Sequence, residues 1–149
     1  MYHLPSILIP LLIYFDNLTK QLTVSSKALM TGVDVTAKLV PTDKKGIRFH
    51  LGEHVIEANV DNVVSTEHCT VIGNENIKVM LIEHFMAACA ICHIDAIDVY
   101  LNHYELPILD GGSKEWVNVF KEAGNKAQET YSITEPVSYI NGKTHLLVL

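Results

Sequence analysis

The fold of this 149-residue chain is decided by the stretch Asn76-Ile77-Lys78-Val79-Met80-Leu81-Ile82-Glu83-His84-Phe85-Met86-Ala87-Ala88-Cys89-Ala90-Ile91-Cys92. The stretch is rich in helix-forming residues and is apolar almost all round, which is typical of a buried helix. Because Asn76 is a residue type that caps helices, the sequence predicts one helix from about Asn76 to Cys92. An adjacent carboxylate and imidazole, Glu83 and His84, lie near the centre of this predicted helix.

The pair Glu83 and His84 has two interpretations. If the helix buries both side chains, each needs a polar partner, because burying an unpaired charge or polar group is unfavourable. A metal ion with its activated water would supply such partners. In the alternative interpretation, this edge of the helix turns toward solvent and both side chains are hydrated. The pattern of residues is consistent with either arrangement.

The composition bounds the class of protein. A hydrophobic content of 48% and a charged content of 19% are those of a globular domain that buries a core. The formal net charge of -6, with no basic run, argues against a nucleic-acid partner. The chain has three cysteines, an odd number, so a complete disulfide framework is not expected. A reducing compartment, the cytoplasm, fits this cysteine content best.

Residues 1–19 are interpreted as an apolar N-terminal extension. Residues 7–15 are strongly apolar, but the run is too short to span a bilayer as a helix and contains Pro10. Residues 1–6 contain no Lys or Arg, whereas a signal peptide has a basic start. Contact of residues 7–15 with a membrane is kept as an alternative.

From Lys20 onward the chain has mainly the pattern of β-strands. The turn at residues 41–46 predicts a hairpin, with a longer loop, between strands at 33–40 and 47–51. The other strands in the first two thirds of the chain are predicted at residues 21–26, 55–58, 62–66, 69–72 and 96–101.

A second helix and a terminal hairpin complete the predicted pattern. Ser113 is suited to cap a helix from Lys114 to Ala123. The dipeptide Asn141-Gly142, between predicted strands at 132–140 and 143–149, is a strong hairpin signal. Together these elements predict an α+β fold, with a mixed or antiparallel sheet packed against two helices in two layers.

The segment Cys89-Ala90-Ile91-Cys92-His93 matches the C-x-x-C-H pattern of c-type haem attachment. In that interpretation both thiols form bonds to haem and the imidazole is an axial ligand. Alternatively, the cysteines are small apolar residues of a buried helix, and His93 adopts the left-handed conformation that ends it. A c-type haem protein is therefore kept as a minor alternative function.

Two further clusters also have both a chemical and a simple interpretation. Glu67-His68-Cys69 holds metal-binding and nucleophilic groups, or else solvated loop residues. Asp110-Gly111-Gly112-Ser113 presents backbone N–H groups that suit an anion, or else forms a plain helix cap. His84 alone cannot hold a catalytic zinc, which takes three protein ligands, and no clear pair of further ligands stands out in the chain.

The order and spacing of several segments resemble one enzyme family. These segments are Ala28-Leu29-Met30-Thr31-Gly32, Cys69-Thr70-Val71-Ile72, Ile77, Ile82-Glu83-His84-Phe85 with Ala87-Ala88, Ile94-Asp95 and Glu105-Leu106-Pro107-Ile108-Leu109-Asp110-Gly111. They are similar to segments of the UDP-3-O-acyl-N-acetylglucosamine deacetylases of lipid A synthesis. The resemblance covers about residues 20–149 and needs no gap between Cys69 and Val117.

The resemblance implies a division into domains. The family has two similar α+β domains, with the active site between them. Residues 20–125 correspond to the first domain, and residues 131–149 correspond to the opening hairpin of a second, truncated domain. The isolated chain is therefore expected to be inactive.

The resemblance also implies residue roles. Glu83 falls on the catalytic base of the family and His84 on its first zinc ligand, and the remaining zinc ligands are expected outside this chain. The implied cofactor is zinc and the implied substrate is a UDP-acyl-glucosamine. Zinc lowers the pKa of a bound water from about 15.7 toward about 7, and Glu83 takes the proton as the water attacks the acetamide.

A few positions depart from the family pattern. Met30 stands where the family has His, Leu81 replaces the Thr that comes two residues before the Glu-His pair, and Lys27, Ala28 and His93 occupy usual Gly or small positions. Met and Leu side chains cannot donate the hydrogen bonds that His and Thr can. An inactive, truncated remnant of the family is therefore the alternative to a working deacetylase.

Overall fold

A computed structural model of the chain describes residues 17–126 and 136–148. Within these residues the chain forms strands and two α-helices, and this mixture confirms the predicted α+β class. The helices are α1, Glu83–Ile91, and α2, Lys114–Glu122. The strands are β1 Leu22–Lys27, β2 Asp34–Pro41, β3 Gly46–Leu51, β4 His54–Glu57, β5 Val63–Ser65, β6 Val71–Gly73, β7 Lys78–Met80, β8 Ala96–Leu101, β9 Val137–Asn141 and β10 Thr144–Val148.

The main sheet has five strands in the order β1-β2-β8-β3-β4. Strand β8 runs antiparallel to β2 and parallel to β3, and it separates them. The predicted hairpin between residues 33–40 and 47–51 is therefore wrong, although both strands exist. Strand β8 takes the central position because four of its side chains, Ala96, Ile97, Val99 and Leu101, are buried. A local turn signal carries no information about a strand that comes roughly 50 residues later in the chain and pairs between the two strands.

Strands β5, β6 and β7 form a second, antiparallel sheet. Strand β7 occupies part of the stretch predicted as one helix from Asn76 to Cys92, so that prediction is wrong in its first half. Val79 is buried and Lys78 is exposed, which is the two-residue alternation of a strand. Asn76 does not cap a helix; its backbone N–H donates to the side-chain Oδ1 of Asn74 in a turn before β7.

Leu81 separates strand β7 from helix α1. Its φ angle of 63° lies in the left-handed region, which continues neither a strand nor a right-handed helix. The helix begins two residues later, at Glu83, after Ile82, and no side chain caps its start. His93, with φ of 53°, follows the end of α1 in the left-handed conformation that the sequence predicts.

An aromatic cluster joins the main sheet to both helices. The Phe85 ring of α1 lies 5.6 Å from Phe49 of β3, 5.0 Å from Trp116 and 5.4 Å from Phe120 of α2, measured between centroids. All four side chains are at most 1% exposed. Helix α1 therefore packs on the sheet through the residue that follows His84.

On the main sheet, Asp98 of β8 holds a charged group of β3. Its carboxylate accepts hydrogen bonds of 2.8 and 3.2 Å from Nε and Nη2 of Arg48, and His50 Nε2 lies 2.8 Å from Oδ1. Burial alone would raise the pKa of Asp98. The hydrogen bonds and charges of Arg48 and His50 outweigh burial and hold this pKa below its ordinary value.

Residues 17–19 pack onto this domain. Leu18 is buried in the main core, and the side-chain Oδ1 of Asn17 accepts hydrogen bonds from the backbone N–H groups of Asp95 and Ala96. The apolar run at 7–15 lies outside the described residues. Neither helix in the described part of the chain is long and apolar enough to cross a membrane.

The remaining predicted elements match the structure where it describes them. Helix α2 begins after Ser113, as predicted, although the Ser113 side chain makes no capping hydrogen bond. Strands β9 and β10 form the hairpin predicted around Asn141-Gly142. The start of the strand predicted at 132–140 lies outside the described residues.

Candidate active site

Glu83 and His84 are the first two residues of helix α1, and both are half-buried. The prediction that they lie near the centre of a helix is wrong, because strand β7 takes the preceding residues. A carboxylate in the first turn of a helix is stabilised by the partial positive charge of the helix N-terminus. The pair thus stands at an accessible helix start, and the hydrated-edge interpretation describes its surroundings better than full burial does.

Thr70 holds the segment around the pair through its backbone. Its N–H donates a hydrogen bond of 3.0 Å to Oε2 of Glu83, and its carbonyl accepts one of 3.1 Å from the N–H of Leu81. A non-glycine residue in the left-handed region costs about 1–3 kcal/mol, and such residues cluster at functional sites. Leu81 and His68 have such φ angles, 63° and 65°. Leu81 donates one of these two hydrogen bonds, and His68 lies two residues before Thr70.

A loop that begins after β8 connects the two sides of the domain. The backbone N–H of Met80 donates to the carbonyl of Tyr104 at 2.8 Å, and the N–H of Leu106 donates to the carbonyl of Met80 at 3.2 Å. Further along, the N–H of Ile108 donates to the carbonyl of Lys27 at 3.1 Å. The loop therefore ties the end of β1 to the end of β7, just before the Glu83–His84 pair.

Glu105 lies in this loop, and no local sequence pattern predicts the surroundings of its side chain. Its side chain is 0% exposed, and its Oε2 accepts a hydrogen bond of 2.8 Å from the backbone N–H of Met30. The Met30 side chain itself is 50% exposed. The signal available in the sequence was a carboxylate directly before the apolar run Leu106-Pro107-Ile108, which suggests a buried charge.

The C-x-x-C-H segment belongs to the core. Cys89 and Cys92 are 1% and 3% exposed and pack in the main cluster of buried apolar residues. Burial raises the pKa of both thiols, although the charge of Lys121 partly offsets this at Cys92. Since the thiolate is the reactive form, burial and the raised pKa values disfavour reaction of either thiol in the folded chain. Haem attachment would require the core to open, so the apolar interpretation fits this geometry.

The structure also favours the simpler interpretation of the other two clusters, Glu67-His68-Cys69 and Asp110-Gly111-Gly112-Ser113. The side chains of Glu67 and His68 are 85% and 81% exposed, whereas Cys69 is buried against Val71 and Leu81, so no Cys–His pair forms. In the loop before α2, the Gly112 N–H donates to the Asp110 side chain at 3.1 Å. The N–H group that would hold an anion thus has an internal acceptor.

No complete metal site lies within the described residues. In residues 17–126 and 136–148, no three His, Cys, Asp or Glu side chains come together as ligands of one ion. From the predicted pair only His84 is a candidate zinc ligand, and a catalytic zinc takes three.

Comparison with known proteins identifies the family. The family model described as LpxC, UDP-3-O-acyl N-acetylglycosamine deacetylase, matches residues 16–149. The chain belongs to this deacetylase family. The match confirms the resemblance found in the sequence, and it begins within the predicted N-terminal extension.

Several curated relatives carry the name UDP-3-O-acyl-N-acetylglucosamine deacetylase. The protein of Syntrophotalea carbinolica is 35% identical over 147 residues, which cover 93% of this chain and 48% of the relative. The protein of Geotalea uraniireducens is 34% identical over 143 residues, covering 90% and 47%. That of Citrifermentans bemidjiense is 36% identical over 140 residues, covering 88% and 46%. The chain thus spans about half the length of these deacetylases.

Proposed function

We propose that the chain is the N-terminal half of a zinc-dependent deacetylase that hydrolyses the acetamide of UDP-3-O-acyl-N-acetylglucosamine in lipid A synthesis. In this proposal Glu83 is the catalytic base and His84 is the first zinc ligand. The observation that carries the proposal is the accessible Glu83–His84 pair at the start of α1, held by the Thr70 backbone, in a chain of the deacetylase family.

The surroundings of Glu83 suit a general base. Within the described residues its Oε2 accepts the Thr70 N–H, so the carboxylate has a fixed orientation while its other oxygen, Oε1, stays available for a proton. A base positioned in this way contributes typically about 10²–10⁴-fold to the rate. The half-buried position lets the group reach water and substrate from the helix start.

His84 is the only zinc ligand proposed for this chain. Zinc, when bound, lowers the pKa of its water toward about 7 and polarises the amide carbonyl. The other protein ligands are proposed to come from a second deacetylase domain, which agrees with a chain that spans about half of its relatives. The proposal also locates the protein in the cytoplasm, since its three cysteines are all unpaired and buried.

The test is a fusion that supplies the other half. The 149-residue chain is joined to the part of the Syntrophotalea carbinolica relative that the match leaves out, and acetate release from UDP-3-O-acyl-N-acetylglucosamine is measured. We expect zinc-dependent acetate release that Glu83→Gln lowers by about 10²-fold or more. The matched control is Glu67→Gln, because the Glu67 side chain is 85% exposed and has no role in the proposed site.

Two outcomes contradict the proposal. If Glu83→Gln and Glu67→Gln release acetate equally fast, Glu83 is not the base. If the fusion folds cooperatively and binds zinc but releases no acetate, the chain is an inactive remnant of the family. Met30 and Leu81, which replace hydrogen-bonding residues of the family pattern, are the positions to restore to His and Thr in that case.

A further inference from the structure

Two segments that carry the family resemblance meet at one residue, Glu105, and a third begins two residues after its backbone partner, Met80. The residue opens one of these segments, Glu105–Gly111. Its side chain reaches a second, Ala28–Gly32, through the hydrogen bond from the Met30 N–H to Oε2. Its backbone pairs in parallel with Met80, which directly precedes the connection into Glu83 and His84. Glu105 therefore belongs to the segment Glu105–Gly111, contacts the segment Ala28–Gly32 through its side chain, and lies beside the backbone that leads into Glu83.

Because this carboxylate is buried, the one hydrogen bond that its side chain makes within the described residues is significant. Glu105 is 0% exposed, and within the described residues its Oε1 has no hydrogen-bond partner. A buried carboxylate is costly, and an apolar side chain of similar volume fills such a space without that cost. The residue is thus not explained by stability. It is explained by what its one hydrogen bond holds, which is the backbone of residue 30.

The neighbouring contacts define which parts of the domain this bond connects. The turn that contains Met30 closes the β1–β2 hairpin, where the Gly32 N–H donates to the Ala28 carbonyl at 3.1 Å. On the other side, the Met80 N–H and carbonyl bond to the residues on either side of Glu105. The side-chain bond is the link that joins this hairpin turn to the backbone frame leading into α1.

We propose that Glu105 is a positioning residue of the deacetylase site, which fixes the Met30 turn relative to the Glu83–His84 pair. The role rests on the proposed function of that pair. Residue 30 is the position at which the family pattern has a polar side chain, and in this chain the exposed Met30 side chain projects from the anchored backbone. Loss of the bond frees the turn and shifts the surroundings of the pair without removing any reacting group.

The test uses the full 149-residue chain and two variants. Glu105→Gln keeps an acceptor for the Met30 N–H, whereas Glu105→Leu has a similar volume and no acceptor. Amide hydrogen exchange at Met30 and the NMR shifts of the His84 ring are measured, with the Val99 amide of the central strand as reference. We expect Glu105→Leu to speed Met30 exchange at least about tenfold relative to Val99, because the variant removes the acceptor of the Met30 N–H. Glu105→Leu should also change the NMR shifts of the His84 ring. Glu105→Gln should keep both the Met30 exchange rate and the His84 shifts close to their wild-type values.

The outcomes separate this role from plain stability and from the proposed function. Unchanged Met30 exchange in Glu105→Leu overturns the proposal, as does faster exchange that is equal at Met30 and Val99 with an unmoved His84 ring. If Glu105→Leu does not fold, Glu105→Asp keeps the charge but shortens the reach, and retained Met30 protection in it contradicts the proposal. Because these signals do not depend on turnover, an inactive fusion with the expected exchange pattern refutes only the deacetylase activity.

Discussion

Replacing Phe85 tests whether helix α1 is anchored as described. Phe85 is 0% exposed, and its ring lies within 5.6 Å of the rings of Phe49, Trp116 and Phe120. Truncating a buried Phe to Ala costs about 3–5 kcal/mol, and each aromatic pair contributes about 0.5–1.5 kcal/mol beyond burial. We expect Phe85→Ala to lower the free energy of unfolding by about 4 kcal/mol. Phe85→Leu, which keeps most of the volume, should lower it by about 2 kcal/mol.

Urea unfolding followed by tryptophan fluorescence measures this effect directly. Trp116, the only tryptophan of the chain, is 1% exposed and lies 5.0 Å from Phe85, so its emission reports on the same cluster. Tyr139→Leu is the matched control: Tyr139 is 57% exposed, and its replacement should change stability by less than about 0.5 kcal/mol. A loss below about 1 kcal/mol for Phe85→Ala, with an unchanged urea slope, would refute the described packing.

Two further predictions concern the sheet and a turn. Because the folded-state pKa of Asp98 lies below its ordinary value of 3.8, the carboxylate stabilises the fold above that pH and loses this effect as the pH falls through the folded value. Asp98→Asn weakens the bond to Arg48, so the variant should melt at a lower temperature than the wild type, and this difference should shrink as the pH falls from roughly 6 to roughly 3. A difference in melting temperature that stays constant over this range would contradict the pairing. Gly124 and Gly52 both have positive φ angles, 89° and 61°, but an added Cβ meets the Thr19 side chain only at Gly124. Gly124→Ala should lower the melting temperature clearly more than Gly52→Ala, and equal shifts would contradict this close contact.

The class of fold could be predicted from the sequence, and Glu83 and His84 could be proposed as a catalytic pair, because both inferences depend on local patterns. Residue types and short spacings indicated helix α2, strand β8 and the final hairpin. Glu83 and His84 stood out as polar residues in an apolar run. The chemistry proposed for them rests on the types of the residues and on the family resemblance, neither of which requires three-dimensional contacts.

The start of helix α1 could not be predicted because distant pairing decides it. Lys78-Val79-Met80 is compatible with a helix or a strand, and short apolar runs do not distinguish the two. Its pairing with β6 and the left-handed conformation of Leu81 select the strand. The same holds for β8, whose place between β2 and β3 comes from its buried face and not from any turn.

The hydrogen bonds around the candidate site could not be predicted from the sequence for a similar reason. The bond from Thr70 to Glu83 crosses 13 residues, and the bond from Met30 to Glu105 crosses 75. No local pattern predicts contacts at such separations. Glu105 appeared in the sequence only as the first residue of a motif, and its burial became evident from the packing of the loop against β1 and β7.

Zinc content is the measurement that tests the central assignment most directly. The fusion of this chain to the part of the Syntrophotalea carbinolica relative that the match leaves out is purified as wild type, His84→Ala and His68→Ala, and bound zinc per chain is measured after dialysis. His68 is the matched control because its side chain is 81% exposed and it is not assigned to the site. We predict one zinc per chain in the wild type and in His68→Ala, and its loss in His84→Ala. Full zinc content in His84→Ala would contradict the assignment of His84 and, with it, the proposed deacetylase site.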